Sequence, residues 1–203
     1  MIFLRYKRGV TLVETLTVVG VLLIVSLSVA SFQKDVFLLN SVMRGGLEAE
    51  REALKIIKVI SSEIRKASPG ADGSYPLVLT NSKEIVFFAN IDDDALIEKV
   101  RYYVSGGKLK KGVTKPTANP PYYAGQPEVS YLLIDYLLDP NANIFYYFDS
   151  SYDGTTAPLS SPVAIDRVRL IKISISIDQN AAQAPKAISV ETQVSIRNLK
   201  SNL

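Results

Sequence analysis

The chain has 203 residues, of which 47% are hydrophobic, and it contains neither cysteine nor histidine. The missing residue types exclude disulfides, thiolate nucleophiles, and the catalytic triads and metal sites that depend on histidine. Without Arg5, Lys7 and Arg8, the 23 basic residues become 20, which equals the number of acidic residues, so the net charge of +3 belongs to the start of the chain. A neutral remainder argues against nucleic acid as the main partner.

The first predicted element is an apolar segment over residues 10–32 that is long enough to cross a membrane. A transmembrane helix needs about 20 predominantly apolar residues. Basic residues precede the segment and none follows it before Lys34. The positive-inside rule therefore places the N-terminus in the cytoplasm and the rest of the chain outside. The predicted membrane-anchoring residues are Leu12, Val13, Leu16, Val18, Val19, Leu22, Leu23 and Ile24.

Three kinds of N-terminus have this pattern. The first is a permanent signal anchor. The second is a cleavable signal peptide that is cut after Ala30, because Ser28-Val29-Ala30 is an acceptable small-x-small cleavage site. The third is a leader that is cut before the apolar segment, at Gly9, so that the segment stays in the mature chain.

Glu14 distinguishes between these three interpretations, because it is a carboxylate inside the apolar segment. A charged side chain at the centre of a membrane costs about 3 kcal/mol and usually has a specific partner. An anchor or a signal peptide gives Glu14 no role. Cleavage between Gly9 and Val10 would give Val10 a new α-amine, and the amine of a neighbouring subunit could then neutralise Glu14. The carboxylate therefore favours the third interpretation.

The stretch KRGVTLVETLTVVGVLLIV resembles the leader and first helix of type IV pilins and pseudopilins. Arg8-Gly9 matches the cleavage junction of that family, and the residues from Thr11 to Glu14 match those that follow it. The resemblance implies that Gly9 precedes the cut, that Val10 becomes an N-methylated terminus, and that Glu14 is the glutamate used in assembly. Val10 stands where the family usually has phenylalanine or methionine.

Beyond the membrane-length segment, apolar residues recur at steps of three and four, or at sums of these. This spacing predicts one face of an α-helix. The predicted face consists of Val36, Leu39, Met43, Leu47, Leu54, Ile57, Ile60 and Ile64. On the solvent side of the helix, Glu63 and Lys66 are expected to pair. Ser68-Pro69-Gly70 is expected to end the helix.

From Gly70 onward the periodicity becomes two, which predicts strands. The predicted strands are KEIVFFANI, IEKVRYYVS, KLKKGVT after the turn Gly106-Gly107, NIFYYFD, and alternating runs at 171–177 and 188–196 that form an antiparallel pair. The stretch EVSYLLIDYLL fits a strand or a helix. Val168 and Leu170 are out of phase with Ile171, which indicates a bulge or a strand buried on both faces.

The stretches NIFYYFDSSYDG, IDRVRLIKISISID and VETQVSIRNL are similar to a succession found in minor pilins and minor pseudopilins. The predicted fold class is therefore α+β, with a long pilin-like N-terminal helix, membrane-spanning in its first half, packed on a mainly antiparallel β-sheet domain. The predicted segments are a basic leader (1–9), the helix (10–67, with 10–32 for membrane and assembly and 33–67 amphipathic) and an extracytoplasmic β-rich domain (68–203).

Two charged clusters and one aromatic pair are candidate binding sites. Asp92 and Asp94 are candidate calcium ligands, because hard cations prefer clustered carboxylates. Consecutive aspartates point in different directions, however, so the sequence favours a solvated loop and no cofactor. A basic group, Lys108, Lys110, Lys111 and Lys115, has the charge to contact DNA or an acidic polysaccharide, but a soluble hairpin rim is favoured. Tyr122, in a proline-rich loop beside Tyr123, is the best candidate for an exposed contact.

The expected function is that of a minor pilin or pseudopilin, a structural subunit and not an enzyme. Its expected partners are other pilins or pseudopilins, the prepilin peptidase and the inner-membrane assembly platform. The expected location is the bacterial cytoplasmic membrane, followed by an extracytoplasmic filament or the cell surface. The alternative is a secreted or membrane-anchored binding domain with a conventional signal segment.

Overall fold

The computed structural model describes residues 9–92, 94–117, 120–178 and 187–196, with only the backbone described at 41, 42, 44 and 45. The basic leader before Gly9, Asp93, the turn between the last two predicted strands and the chain after Ile196 lie outside the described residues. The chain divides into two compact units, Met1–Arg44 and Gly45–Leu203.

A long helix, α1, runs over Leu12–Arg65, whereas the sequence predicts a helix over residues 10–67. The amide of Ala67 donates a hydrogen bond to the carbonyl of Ile64 at 3.1 Å, which tightens the chain at the end of the helix. Pro69 follows and cannot continue the helix. The chain therefore leaves the helix at the position that the Ser-Pro-Gly sequence predicts.

The first part of α1, Leu12–Asn40, has a mean hydropathy of 2.3, and none of it is buried. It is long and apolar enough to span a membrane. The eight predicted anchoring residues all belong to this part, and each is at least half exposed.

The rest of the described chain is mainly antiparallel sheet, which confirms the predicted α+β class. The strands are β1 (Leu77–Asn81), β2 (Glu84–Ala89), β3 (Glu98–Ser105), β4 (Lys108–Thr114), β5 (Val129–Ile134), β6 (Phe145–Phe148), β7 (Leu170–Ile177) and β8 (Ile188–Ser195). They form a five-stranded sheet in the order β1-β2-β3-β4-β5 and a three-stranded sheet in the order β6-β7-β8. Gly106 and Gly107, with φ of +60° and +74°, make the predicted turn between β3 and β4.

The buried face of α1 differs in part from the predicted one. Ile57, Ile60 and Ile64 are buried against the sheets as expected, but Leu47 and Leu54 are 52% and 46% exposed. In their place the helix buries Ala49 and Ala53. The close-packed interior accepts the two small side chains at these positions, and a larger side chain there would need the neighbouring residues to move. The spacing of apolar residues therefore predicts the helix correctly, but it predicts only part of the face that packs against the sheets.

Three strand predictions are also changed by the structure. The stretch EVSYLLIDYLL, whose sequence fits a strand or a helix, contains the strand β5. The strand β1 was not predicted at all. The structure has neither the bulge nor the strand buried on both faces that were the two alternatives near Val168. A short 3-10 helix, Ile165–Arg167, precedes Val168 and turns it into the core, and β7 then pairs in regular register from Leu170 onward.

Glu63 joins α1 to the five-stranded sheet, and its predicted role as a solvent-side partner of Lys66 is wrong. Its carboxylate accepts hydrogen bonds from the Tyr102 hydroxyl and the Lys111 ammonium, each at 2.6 Å. The side chains of Glu63 and Lys111 are only 13% and 14% exposed. Burial, and then the nearby Glu63 carboxylate, raise the pKa of Tyr102 far above its ordinary value.

Candidate functional site

The N-terminal site begins with two exposed residues outside the helix, Gly9 and Val10. Thr11 caps the helix, because its hydroxyl accepts a hydrogen bond from the Glu14 amide at 3.3 Å and its carbonyl accepts one from the Thr15 amide at 3.2 Å. Thr11 and Glu14 thus have the spacing of a capping box. A carboxylate in the first turn also lies at the positive end of the helix dipole.

The cap at Thr11 was missed in the sequence, although the T-x-x-E spacing before an apolar run is a known signal for a helix start. Helix capping is worth about 1 kcal/mol, and a carboxylate at the centre of a membrane costs about 3 kcal/mol. Glu14 lies in the first turn of α1, at one end of the part that is long and apolar enough to span a membrane, so its own cost in a membrane is smaller than the cost at the centre.

The other polar side chains near Glu14 are satisfied within the helix. The hydroxyls of Thr15, Thr17 and Ser28 donate to the carbonyls of Leu12, Glu14 and Ile24 at 2.8, 2.9 and 2.9 Å. Such bonds are how hydroxyl residues are accommodated in a helix surrounded by lipid. Among the described residues no cation lies within ion-pair distance of the Glu14 carboxylate.

The structure brings the predicted calcium candidates, Asp92 and Asp94, together with a third carboxylate, Glu98. One oxygen from each carboxylate lies within 4.8 Å of the other two. Glu98 was missed because its place in the cluster depends on how the loop between β2 and β3 folds back. The ammonium of Lys115 lies at 2.6 Å from Asp92 and 2.9 Å from Asp94.

The predicted basic group does not form one surface. Lys108 pairs with Asp135 at 2.5 Å, Lys111 with Glu63, and Lys115 with the aspartates. Three of its four lysines are thus neutralised separately, by carboxylates on different elements. The prediction of a soluble hairpin rim is wrong for Lys111, whose side chain is only 14% exposed.

The predicted contact residue Tyr122 lies at a surface cleft of about 380 Å³. It is 48% exposed, whereas the neighbouring Tyr123 is buried against Phe88, with ring centroids 4.7 Å apart. Tyr75 and Lys99 also line the cleft. The division of the tyrosine pair into one buried and one exposed ring is the one expected, and a binding role for Tyr122 stays a prediction.

No protein-family model matches this chain, and no curated protein matches it significantly.

Proposed function

We propose that this chain is a minor pilin-like or pseudopilin-like filament subunit that is stored in the membrane and assembles through α1. The observation that carries the proposal is the composition of that helix. Its first part is apolar, exposed and membrane-length, it is capped by Thr11, and the Glu14 carboxylate in its first turn has no cation beside it among the described residues. Its last part is packed on an antiparallel sheet.

The proposed mechanism is electrostatic. Cleavage after Gly9 gives Val10 an α-amine, which is protonated in its ordinary state at neutral pH. In lipid the Glu14 carboxylate is costly. When subunits leave the membrane and pack their helices together, the amine of one Val10 lies beside Glu14 of the neighbouring subunit and neutralises it. Assembly would then be favoured over storage in the bilayer.

The sheet domain, in this proposal, is displayed outside the cytoplasmic membrane at the tip or surface of the filament. The partners are other pilins or pseudopilins, which contact the apolar helix, together with the prepilin peptidase and the inner-membrane assembly platform. The helix supplies assembly, and the loops of the sheet domain supply the contacts that differ from one subunit to another.

A second candidate function is a binding domain with a conventional signal peptide cut after Ala30. It is favoured by the placement of the core. All described helix residues that contribute to the core lie at or beyond Ala49, so the described core would be kept after that cut. Such a protein would have no use for Glu14.

Substitution of Gly9 tests the proposed function. We expect Gly9→Leu to block cleavage, because the enlarged side chain lies at the scissile junction, and to leave the uncut chain in the membrane fraction. The wild-type chain should be shortened and appear in the filaments sheared from cells. Gel mobility and immunoblots of the two fractions measure this. Gly20→Leu is the matched control, since Gly20 has open space around it, and it should be cleaved normally. Cleavage of Gly9→Leu like wild type would contradict the proposal.

A further inference from the structure

Two surface clefts of the sheet domain adjoin at Tyr75. One is the cleft of about 380 Å³ that Tyr122 also lines. The other has a volume of about 430 Å³ and lies beside the short 3-10 helix, which contributes Asp166 to it. Tyr75 and Leu77 line both clefts. The two clefts therefore form one surface groove, which is called the tyrosine groove below.

Large apolar side chains are exposed along the tyrosine groove. Tyr75 and Tyr122 are 46% and 48% exposed, and Val78 of β1 is 39% exposed. The hydroxyl groups of both tyrosines have no hydrogen-bond partner among the described residues. A contiguous apolar surface with aromatic rings at its centre is typical of a binding site for another molecule.

The backbone on both sides of the tyrosine groove is fixed by hydrogen bonds. The Tyr122 amide donates to the hydroxyl of Thr117 at 3.1 Å, and the Tyr122 carbonyl accepts from the Thr117 amide at 3.0 Å. On the other side, the carbonyl of Pro76, which directly follows Tyr75, accepts from the Phe88 amide at 2.9 Å. A groove that is already formed loses little conformational entropy when a ligand binds.

Each cleft holds a charged side chain that has no ion-pair partner among the described residues. Lys99 lines only one cleft, and Asp166 lines only the other. Asp72 lines the same cleft as Lys99, and its carboxylate already accepts a hydrogen bond from the Ser74 amide at 3.0 Å. A ligand that extends over both clefts therefore meets a cation on one side of Tyr75 and an anion on the other.

The lining of the tyrosine groove distinguishes between classes of ligand. Apart from the charged side chains, it offers mainly rings and aliphatic carbons, with few groups to replace the water around the hydroxyls of a sugar. An ordinary extended peptide brings one backbone N–H for each residue. Proline has no N–H, and proline-rich peptides form extended polyproline II helices that dock in aromatic-lined grooves. A proline-rich peptide therefore fits this groove better than a sugar or an ordinary strand does.

We infer that the tyrosine groove binds a proline-rich extended peptide of a partner protein, with an acidic residue beside Lys99 and a basic residue beside Asp166. Proline rings pack against the exposed rings of Tyr75 and Tyr122. The tyrosine hydroxyls donate to carbonyls of the peptide, which have no partners within a polyproline II helix. The two charges set the direction of the peptide. This inference concerns the sheet domain and does not depend on the proposed role of α1.

Fluorescence anisotropy of a labelled oligoproline peptide, with glutamate at one end and arginine at the other, tests the inference. The peptide is made in both chain directions and titrated with the full chain in detergent micelles. We expect one direction to bind more tightly, and a glycine-serine peptide with the same end charges to bind at least about tenfold more weakly. Tyr75→Ala and Tyr122→Ala should each weaken binding of the oligoproline peptide at least about tenfold, because each removes an aromatic anchor.

Lys99→Glu should reverse the charge preference, so that an oligoproline peptide with arginine at both ends binds more tightly than the peptide with glutamate and arginine. A loss of structure would not produce such a gain. Tyr131→Ala is the matched control, since Tyr131 is a 52% exposed tyrosine of β5 that does not line the groove, and it should bind as the wild type does.

Near-ultraviolet circular dichroism checks that each variant is folded. The inference would be overturned if the wild type bound neither direction of the oligoproline peptide, or bound the glycine-serine peptide equally well. Folded Tyr75→Ala and Tyr122→Ala variants that bind the oligoproline peptide as the wild type does would also overturn it.

Discussion

Glu14→Gln is expected to be cleaved and inserted in the membrane normally but to enter filaments at least about tenfold less than the wild type. Glutamine keeps the size of the side chain and its capacity to take part in the capping box, but it loses the charge. Removal of the charge makes the bilayer a more favourable location and removes the attraction of the neighbouring Val10 amine. Both changes oppose assembly. Immunoblots of membranes and of filaments sheared from the same cells measure the ratio.

Two further variants separate the charge of Glu14 from its helix-capping position. Glu14→Asp keeps a carboxylate in the first turn and should assemble better than Glu14→Gln. Thr11→Val removes the hydroxyl that caps the helix, at about 1 kcal/mol of helix stability, but leaves the charge, so it should still assemble. If Glu14→Gln enters filaments normally while Thr11→Val does not, capping is the important role and the electrostatic mechanism is wrong.

Glu63→Ala is expected to have the largest effect on the stability of the sheet domain. The change leaves the ammonium of Lys111, whose side chain is only 14% exposed in the wild type, without its carboxylate partner. It also leaves the Tyr102 hydroxyl without its acceptor. Loss of one partner from a buried ion pair costs about 3–5 kcal/mol. We expect a value near 3 kcal/mol, because this pair keeps some contact with solvent. Urea unfolding of the full chain in micelles, followed by the near-ultraviolet signal of the tyrosines, measures the free energy of unfolding.

Glu48→Ala is the control for this prediction, because Glu48 is exposed on the same helix, and its effect should be within about 0.5 kcal/mol of zero. The double variant Glu63→Ala with Lys111→Met should recover part of the loss, since the stranded charge is gone. Equal stability of Glu63→Ala and Glu48→Ala would show that the ion pair does not hold the helix to the sheet.

The helices and strands of this fold were predictable where the alternation of apolar and polar residues follows the alternation of buried and exposed positions. The alternation of isoleucines in β7 is matched by strict alternation of buried and half-buried residues. The contacts of Glu63 and Glu98 were missed for a common reason. Glu63 contacts Lys111 across 48 positions of the chain, and the position of Glu98 beside Asp92 and Asp94 depends on a loop conformation and on Lys115. Neither set of contacts leaves a periodic signal.

The packed face of α1 shows a different limit. Hydrophobic spacing identifies apolar positions, but it does not say which of two apolar stripes meets the sheet. Here the alanines at 49 and 53 are buried and the leucines at 47 and 54 are exposed. A hydrophobicity scale ranks alanine below leucine, so it favours the stripe that the structure leaves exposed. The capping box at Thr11 and Glu14, in contrast, was present in the sequence and could have been identified from its spacing.

The mass of the mature N-terminal peptide shows whether the pairing of Glu14 with a neighbouring Val10 amine can form. Protein isolated from cells, digested and analysed by mass spectrometry is predicted to begin at Val10, with a methyl group on its amine. That terminus would retain Glu14 and supply the cation that its neighbour needs. A chain that begins at Ser31 would lack Glu14 altogether, and one that keeps Met1 would lack the new amine. Either result would contradict the account.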